Sequence, residues 1–255
     1  MTVRLTTSDG IAIMTLDRPA ALNALSFDII RQISDAIDEV AGTKARALII
    51  TGEGQKAFCA GADIKELQGR DMAAQHRSLR LGQTTFAKLE NLPIASIAAI
   101  NGYAFGGGLE LALACTFRVA ASTARMGLPE IKLGLIPGYG GTQRLPRIVG
   151  EGRALEMIMT GRAVTAEEAL RIGLVHEVTE TDTLEAALAF AGRFTGYSLP
   201  VLRMARDAVM RAGDTTLADG LRVEADLATL AFQTADAVEG MDAFASKRTA
   251  EFKDA

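Results

Sequence analysis

Residues 94–121, Ile-Ala-Ser-Ile-Ala-Ala-Ile-Asn-Gly-Tyr-Ala-Phe-Gly-Gly-Gly-Leu-Glu-Leu-Ala-Leu-Ala-Cys-Thr-Phe-Arg-Val-Ala-Ala, decide the fold class. The apolar run Ile94 to Asn101 has the length of a buried strand. Gly102 and the Gly106-Gly107-Gly108 run follow, and a short apolar helix is expected to open near Leu109. Thr116 to Ser122 reads as the next strand, and a helical pattern from about His76 to Asn91 precedes the first. Strands separated by helices favour parallel pairing, hence an α/β class.

The pattern continues on both sides. Val3–Thr7 and Ile11–Asp17 flank an Asp9-Gly10 step, a hairpin signal. Ile30, Ile33, Ile37 and Val40 recur at helical spacing behind Ser26, a candidate N-cap. Ala45–Thr51 and Leu174–Thr179 read as further strands, and Thr165-Ala-Glu-Glu168 as a capping box. Beyond Thr183 the chain becomes almost wholly helical, with candidate helices at 182–192, 199–211, 217–234 and 236–247. The expected division is therefore an α/β core over 1–182 and a helical region over 183–255.

Composition narrows the functional classes. The chain has 255 residues, 49% of them hydrophobic and 23% charged, which is globular usage. A net charge of −4 argues against a nucleic-acid footprint. No apolar run approaches the ~18–20 residues of a membrane span, and residues 1–5 lack the pattern of a secretory signal. A cytoplasmic protein with no membrane association is the expectation. Two histidines and two cysteines favour neither a multi-His metal site nor a disulfide framework, so no metal is expected. Cys59 and Cys115 sit among small residues with no histidine beside them and read as packing residues.

Familiar motifs are missing: there is no G-x-G-x-x-G, no G-K-[ST] and no G-x-S-x-G. Three other segments remain. Residues 58–66 place tiny side chains just before a helix start, and 101–110 do the same at the end of a strand. Exposed N–H groups there, reinforced by a helix N-terminus, suit a carbonyl that gains negative charge. In 126–144, Glu130 stands between Pro129 and an apolar stretch, while Glu110 lies inside the apolar Leu109–Ala114. Carboxylates in such company are ion-paired, exposed by local geometry, or kept for acid–base work.

These segments carry a family resemblance over essentially the whole chain. AFCAGADIKEL at 57–67, NGYAFGGGLELALAC at 101–115, GLPEIKLGLIPGYGGTQRL at 127–145 and EGMDAFASKR at 239–248 resemble the enoyl-CoA hydratase/isomerase (crotonase) family. The resemblance implies a spiral of β-β-α turns with a C-terminal helical trimerisation region, and a homotrimer or dimer of trimers. It places the oxyanion N–H groups on Ala62 and Gly107 and lines the thioester with Ala62, Asp63, Ile64 and Lys65. It makes Glu110 and Glu130 the catalytic pair, Glu110 activating water and Glu130 protonating C2. Both glutamates together favour hydration of a trans-2-enoyl-CoA to a 3-hydroxyacyl-CoA, as in fatty-acid or related acyl-CoA degradation. No cofactor is implied, because coenzyme A is part of the acyl-CoA thioester substrate. Phe244 and Lys247, three apart on the expected last helix and so on one face, would reach the CoA. A double-bond isomerase, a specialised hydratase, or a non-catalytic acyl-CoA- or RNA-binding relative are the alternatives. Two departures from the family pattern bear on specificity: Met126 replaces a frequent aromatic residue, and Tyr139 is bulkier than the usual small one.

Overall fold

The computed structural model describes residues 2–255. Ten strands run in chain order: β1 (Val3–Ser8), β2 (Ile11–Leu16), β3 (Ala47–Gly52), β4 (Ala57–Cys59), β5 (Ala95–Ile100), β6 (Tyr103–Phe105), β7 (Phe117–Ala121), β8 (Arg125–Gly127), β9 (Ala163–Thr165) and β10 (Glu177–Thr179). The helices are α1 (Phe27–Ala41), α2 (Ile64–Leu67), α3 (Met72–Asn91), α4 (Gly107–Ala114), α5 (Gly141–Val149), α6 (Glu151–Thr160), α7 (Ala166–Arg171), α8 (Thr183–Gly192), α9 (Leu199–Arg211), α10 (Leu217–Phe232) and α11 (Ala235–Ala245). No helix among the described residues is long and apolar enough to cross a membrane.

Two sheets form. The larger has six strands in the order β1-β2-β3-β5-β7-β10, parallel except for the β1–β2 hairpin. Asp9 and Gly10 turn that hairpin with φ of +49° and +75°, the left-handed pair that a two-residue loop needs. β2 and β3 are buried along their whole length, which is why they read as continuous apolar runs rather than alternating ones. Ser26 caps α1, its Oγ accepting from Ile29 N at 3.2 Å, and α1 buries Ile29, Ile30, Ile33, Ile37 and Val40. Thr165 caps α7 the same way, accepting from Glu168 N at 3.1 Å.

The smaller sheet, order β4-β6-β8-β9, has no counterpart in the sequence patterns. Each of its strands has three residues, too few for any periodicity to show. β4, β6 and β8 are parallel neighbours, so their C-terminal ends emerge at one edge.

The chain divides into two compact units after Phe190, within α8; the pattern change at 182/183 marks the start of that helix. The second unit holds α9, α10 and α11 and leaves large apolar side chains exposed, among them Val209, Leu217, Phe232 and Phe244. One local expectation fails here. α11 stops at Ala245, and Lys247 lies past its end at φ +53°. Lys247 N donates to the Phe244 carbonyl at 3.2 Å and Arg248 N to Ala243 at 3.0 Å, a Schellman cap that turns the chain off the axis. Phe244 and Lys247 therefore do not share a helical face, although both are exposed.

Candidate active site

The edge where β4, β6 and β8 end gathers the three segments picked out in the sequence. Parallel pairing of β4 with β6 aligns Cys59 with Ala104, and β6 with β8 aligns Phe105 with Gly127. Each strand then runs within a few residues into a candidate group: Ala62, Gly107 with Glu110, and Glu130.

Close approach of backbone is what requires glycine here. Gly106 has φ +51°, and a Cβ on it would come 2.9 Å from Glu130 Oε1. A Cβ on Gly108 would lie 2.1 Å from the Cys59 carbonyl oxygen, so no larger residue fits against the end of β4. α4 starts at Gly107, and Glu110 sits one turn on, its N–H donating to the Gly106 carbonyl at 2.9 Å. Three residues apart, Gly107 and Glu110 share the face of the first turn.

Ala62 forms a bridge with Leu25: Leu25 N donates to Gly61 and Asp63 N to Leu25, which leaves the N–H of Ala62 outside the pairing. Among the described residues neither the Ala62 nor the Gly107 N–H donates to a protein acceptor. Asp63 holds the local backbone in place. Its Oδ1 caps α2 through Lys65 N, and its Oδ2 pairs with Arg18 at 2.9 Å. Ile64 and Lys65 are exposed.

Glu110 is 2% exposed. Its Oε1 accepts from Tyr139 N at 2.7 Å and Gly141 N at 2.8 Å. Burial lifts its carboxyl to about 7; the Gly141 N–H holds it down, the Glu130 charge lifts it further, and Tyr139 N–H and Arg144 act against that. Burial also raises Glu130, which opens the short 3-10 turn Glu130–Leu133. Glu130 Oε2 is buried without a hydrogen-bond partner. The apolar residues after Glu130 do not enclose it as a core would, since Ile131, Leu133, Leu135 and Ile136 are exposed.

Residues missed in the sequence complete the frame. The donors from Tyr139 and Gly141 are backbone groups, and only the glycines around them hint at a tight loop. Gln83 Nε2 donates to the Gly138 carbonyl at 3.0 Å and Arg144 Nη1 to that of Tyr139 at 2.9 Å, with Arg144 in turn gripped by Glu90. Cys59 and Cys115 are buried, and burial pushes both thiols up to about 12, so both stay protonated and unreactive. A separate polar cavity of about 830 Å³ lies beyond the C-terminal ends of the larger sheet, lined by Thr15, Thr51, Asn101 and Ser122 among others, and contains neither Glu110 nor Glu130.

A profile of the enoyl-CoA hydratase/isomerase family matches residues 6–255. A probable enoyl-CoA hydratase of Rhizobium meliloti is 45% identical, covering 99% of this chain and 98% of its own. A crotonyl-CoA hydratase of Syntrophomonas wolfei is 42% identical over 96% of this chain and 95% of its own. The crystal structure of an enoyl-CoA hydratase from Bacillus anthracis superposes with a TM-score of 0.95 at 38% identity, covering all of both chains. Matched along nearly its whole length in sequence and in fold, the chain belongs to the enoyl-CoA hydratase/isomerase family.

Proposed function

We propose that this protein adds water to trans-2-enoyl-CoA thioesters, giving 3-hydroxyacyl-CoA. One observation carries the reading: the carboxyls of Glu110 and Glu130, both raised by burial, lie close enough for the charge of one to act on the other, and Glu110 stands on the first turn of α4, which opens at Gly107 with its N–H unpaired. The thioester carbonyl would accept from Ala62 and Gly107, which stabilise the enolate oxygen as charge develops. A carboxylate titrating near 7 is a base matched to neutral pH. Glu110 Oε1 is held by two N–H groups, leaving its other oxygen to take a proton from water as the hydroxyl joins C3. Glu130, whose carboxyl is likewise raised by burial, gives the proton that C2 takes up. One proton is taken and one given, so the pair returns to its starting state by passing a proton from Glu110 to Glu130. No cofactor enters this scheme.

The same reading extends to assembly and location. The exposed apolar side chains on α9, α10 and α11 support a homotrimer or a dimer of trimers, and a cytoplasmic site of action suits a CoA thioester. Light scattering at micromolar concentration should give a mass of three or six chains; one chain would overturn that part. For the reaction, incubation with crotonyl-CoA followed by mass spectrometry should show the gain of one water. A shifted double bond without added water, or unchanged thioester, would overturn the hydratase reading.

A further inference from the structure

Leu25 touches both segments whose N–H groups are read as oxyanion donors, although positions 25, 62 and 107 lie far apart in the chain. Its main chain grips the first. Leu25 N donates to the Gly61 carbonyl and its own carbonyl accepts from Asp63 N, both at 2.8 Å. In such a parallel bridge the residue between the two bonds, Ala62, turns its N–H away from the partner. The Leu25 side chain reaches the second. A Cβ on Gly107 would come 3.3 Å from Leu25 Cδ1 and 3.1 Å from Tyr139 Cδ2, so a leucine methyl and a ring edge fill the space that glycine leaves where α4 opens. The ring is held in its turn: a Cβ on Gly82 of α3 would sit 2.2 Å from its Cδ1, and Phe86 meets it edge-on at a centroid distance of 5.7 Å.

Buried polar groups anchor the loop that presents Leu25. Asn23, 1% exposed, takes the left-handed conformation at φ +57°, which asparagine tolerates better than most residues. Its Nδ2 donates to the carbonyls of Ala57 at 2.8 Å and Glu53 at 3.1 Å, and its Oδ1 accepts from Arg18 N at 3.0 Å. Ala60 N donates to the Leu22 carbonyl at 3.0 Å, and the Arg18 guanidinium pairs with Asp63. Residues 22–25 and 60–63 are thereby tied into one piece, and the Leu25 side chain joins that piece to the start of α4.

We propose that Leu25 is a positioning residue that sets the spacing of the Ala62 and Gly107 N–H groups, and so how strongly they polarise a thioester carbonyl. The inference rests on the hydratase reading, which places that carbonyl between them. Hydrogen bonds weaken steeply out of line, and a misplacement of about 1 Å in a reacting geometry can cost ~10² in rate. Leucine acts here by van der Waals contact alone, with no charge or proton of its own.

Isotope-edited infrared spectra of bound butyryl-CoA, labelled in the thioester carbonyl, read the polarisation without turnover. In the parent the C=O stretch should fall below its frequency in water. Leu25→Ala keeps the main-chain bonds to Gly61 and Asp63 but removes the prop on Gly107, and should lose most of that downshift. Leu25→Met, close in volume, should recover it. In Leu25→Ala, kcat for crotonyl-CoA should fall about tenfold or more with KM nearly unchanged. The acid limb of the pH profile should stay in place, because the bonds on Glu110 come from Tyr139 and Gly141. If Leu25→Ala does not fold, Leu25→Val shortens the same prop by less and should lose part of the downshift. A full downshift in the folded shortened variant, or a parent whose bound carbonyl vibrates as in water, overturns the proposal. So does an acid limb that moves while the carbonyl frequency does not, since Leu25 would then act on Glu110. A parent that polarises the carbonyl and loses the effect in Leu25→Ala, yet adds no water to crotonyl-CoA, overturns the hydratase reading and supports the role of Leu25.

Discussion

Arg144 and Glu90 form a two-pronged ion pair, Nε to Oε1 at 2.6 Å and Nη2 to Oε2 at 3.0 Å, and the remaining nitrogen, Nη1, holds the carbonyl of Tyr139 at 2.9 Å. Glu110 is thereby positioned at second hand: the arginine fixes the loop, and the loop supplies the two N–H groups on Glu110 Oε1. The fork of a guanidinium makes three directed contacts that no ammonium can reproduce.

Arg144→Gln should therefore raise the pKa of Glu110, by removing a nearby positive charge and by loosening the loop that carries its donors. The acid limb of the kcat–pH profile should move up by roughly half to one pH unit. Arg144→Lys should restore part of the charge effect but not the loop geometry. An unmoved acid limb in Arg144→Gln would show that Glu110 is placed without the arginine.

Glu110→Gln and Glu130→Gln should each lower hydration by about 10²-fold or more while binding of a saturated acyl-CoA changes little, since acid–base groups contribute ~10²–10⁴. Glutamine keeps an oxygen for the Tyr139 and Gly141 N–H groups, so Glu110→Gln preserves the loop. Near-parental turnover in either variant removes that residue from the chemistry.

Glu110 also makes stability depend on pH. Its carboxyl rises from an ordinary 4.5 to about 7 in the folded protein, so between those values the folded state binds the proton and the unfolded state releases it. The contribution of neutral Glu110 is fully present below about 4.5, falls as pH rises, and is gone above about 7. Glu110→Gln removes that loss. Denaturant melts should find the variant more stable than the parent by about 1–3 kcal/mol at pH 8 and nearly equal at pH 4.5. A parent as stable as the variant at pH 8 would place Glu110 in a more polar environment than its 2% exposure implies.

Lys247 holds the left-handed cap position after α11, where glycine is the least strained residue. Lys247→Gly should stabilise the protein by up to about 1 kcal/mol. If the ammonium meets CoA phosphate, Lys247→Ala should raise KM for CoA thioesters with kcat nearly unchanged, and the effect should fade at high salt. Steady-state kinetics at low and high ionic strength decides this; an unaltered KM at low ionic strength would leave Lys247 as a cap residue alone.

Much of this protein was legible in the order of its residues because the physics involved is local. Continuous apolar runs made β2, β3 and β5 recognisable, the Asp9-Gly10 step set a hairpin, and Ser26 and Thr165 marked helix starts through bonds to N–H groups three residues away. Glu110 and Glu130 stood out because a carboxylate among apolar neighbours needs a reason. The tertiary structure decided what local chemistry does not encode. Parallel pairing of β4, β6 and β8, each too short to leave a pattern, brings Ala62, Gly107 with Glu110, and Glu130 to one edge from well-separated parts of the chain. The donors that hold Glu110 are backbone groups of Tyr139 and Gly141, which every residue but proline possesses and no sequence pattern can single out. Lys247 left the face of Phe244 because the helix ended two residues earlier, in a cap formed by hydrogen bonds rather than by composition. The ring of Tyr139 meets a missing side chain at position 82, a fit between distant positions that exists only once α3 and the loop before α5 are packed together.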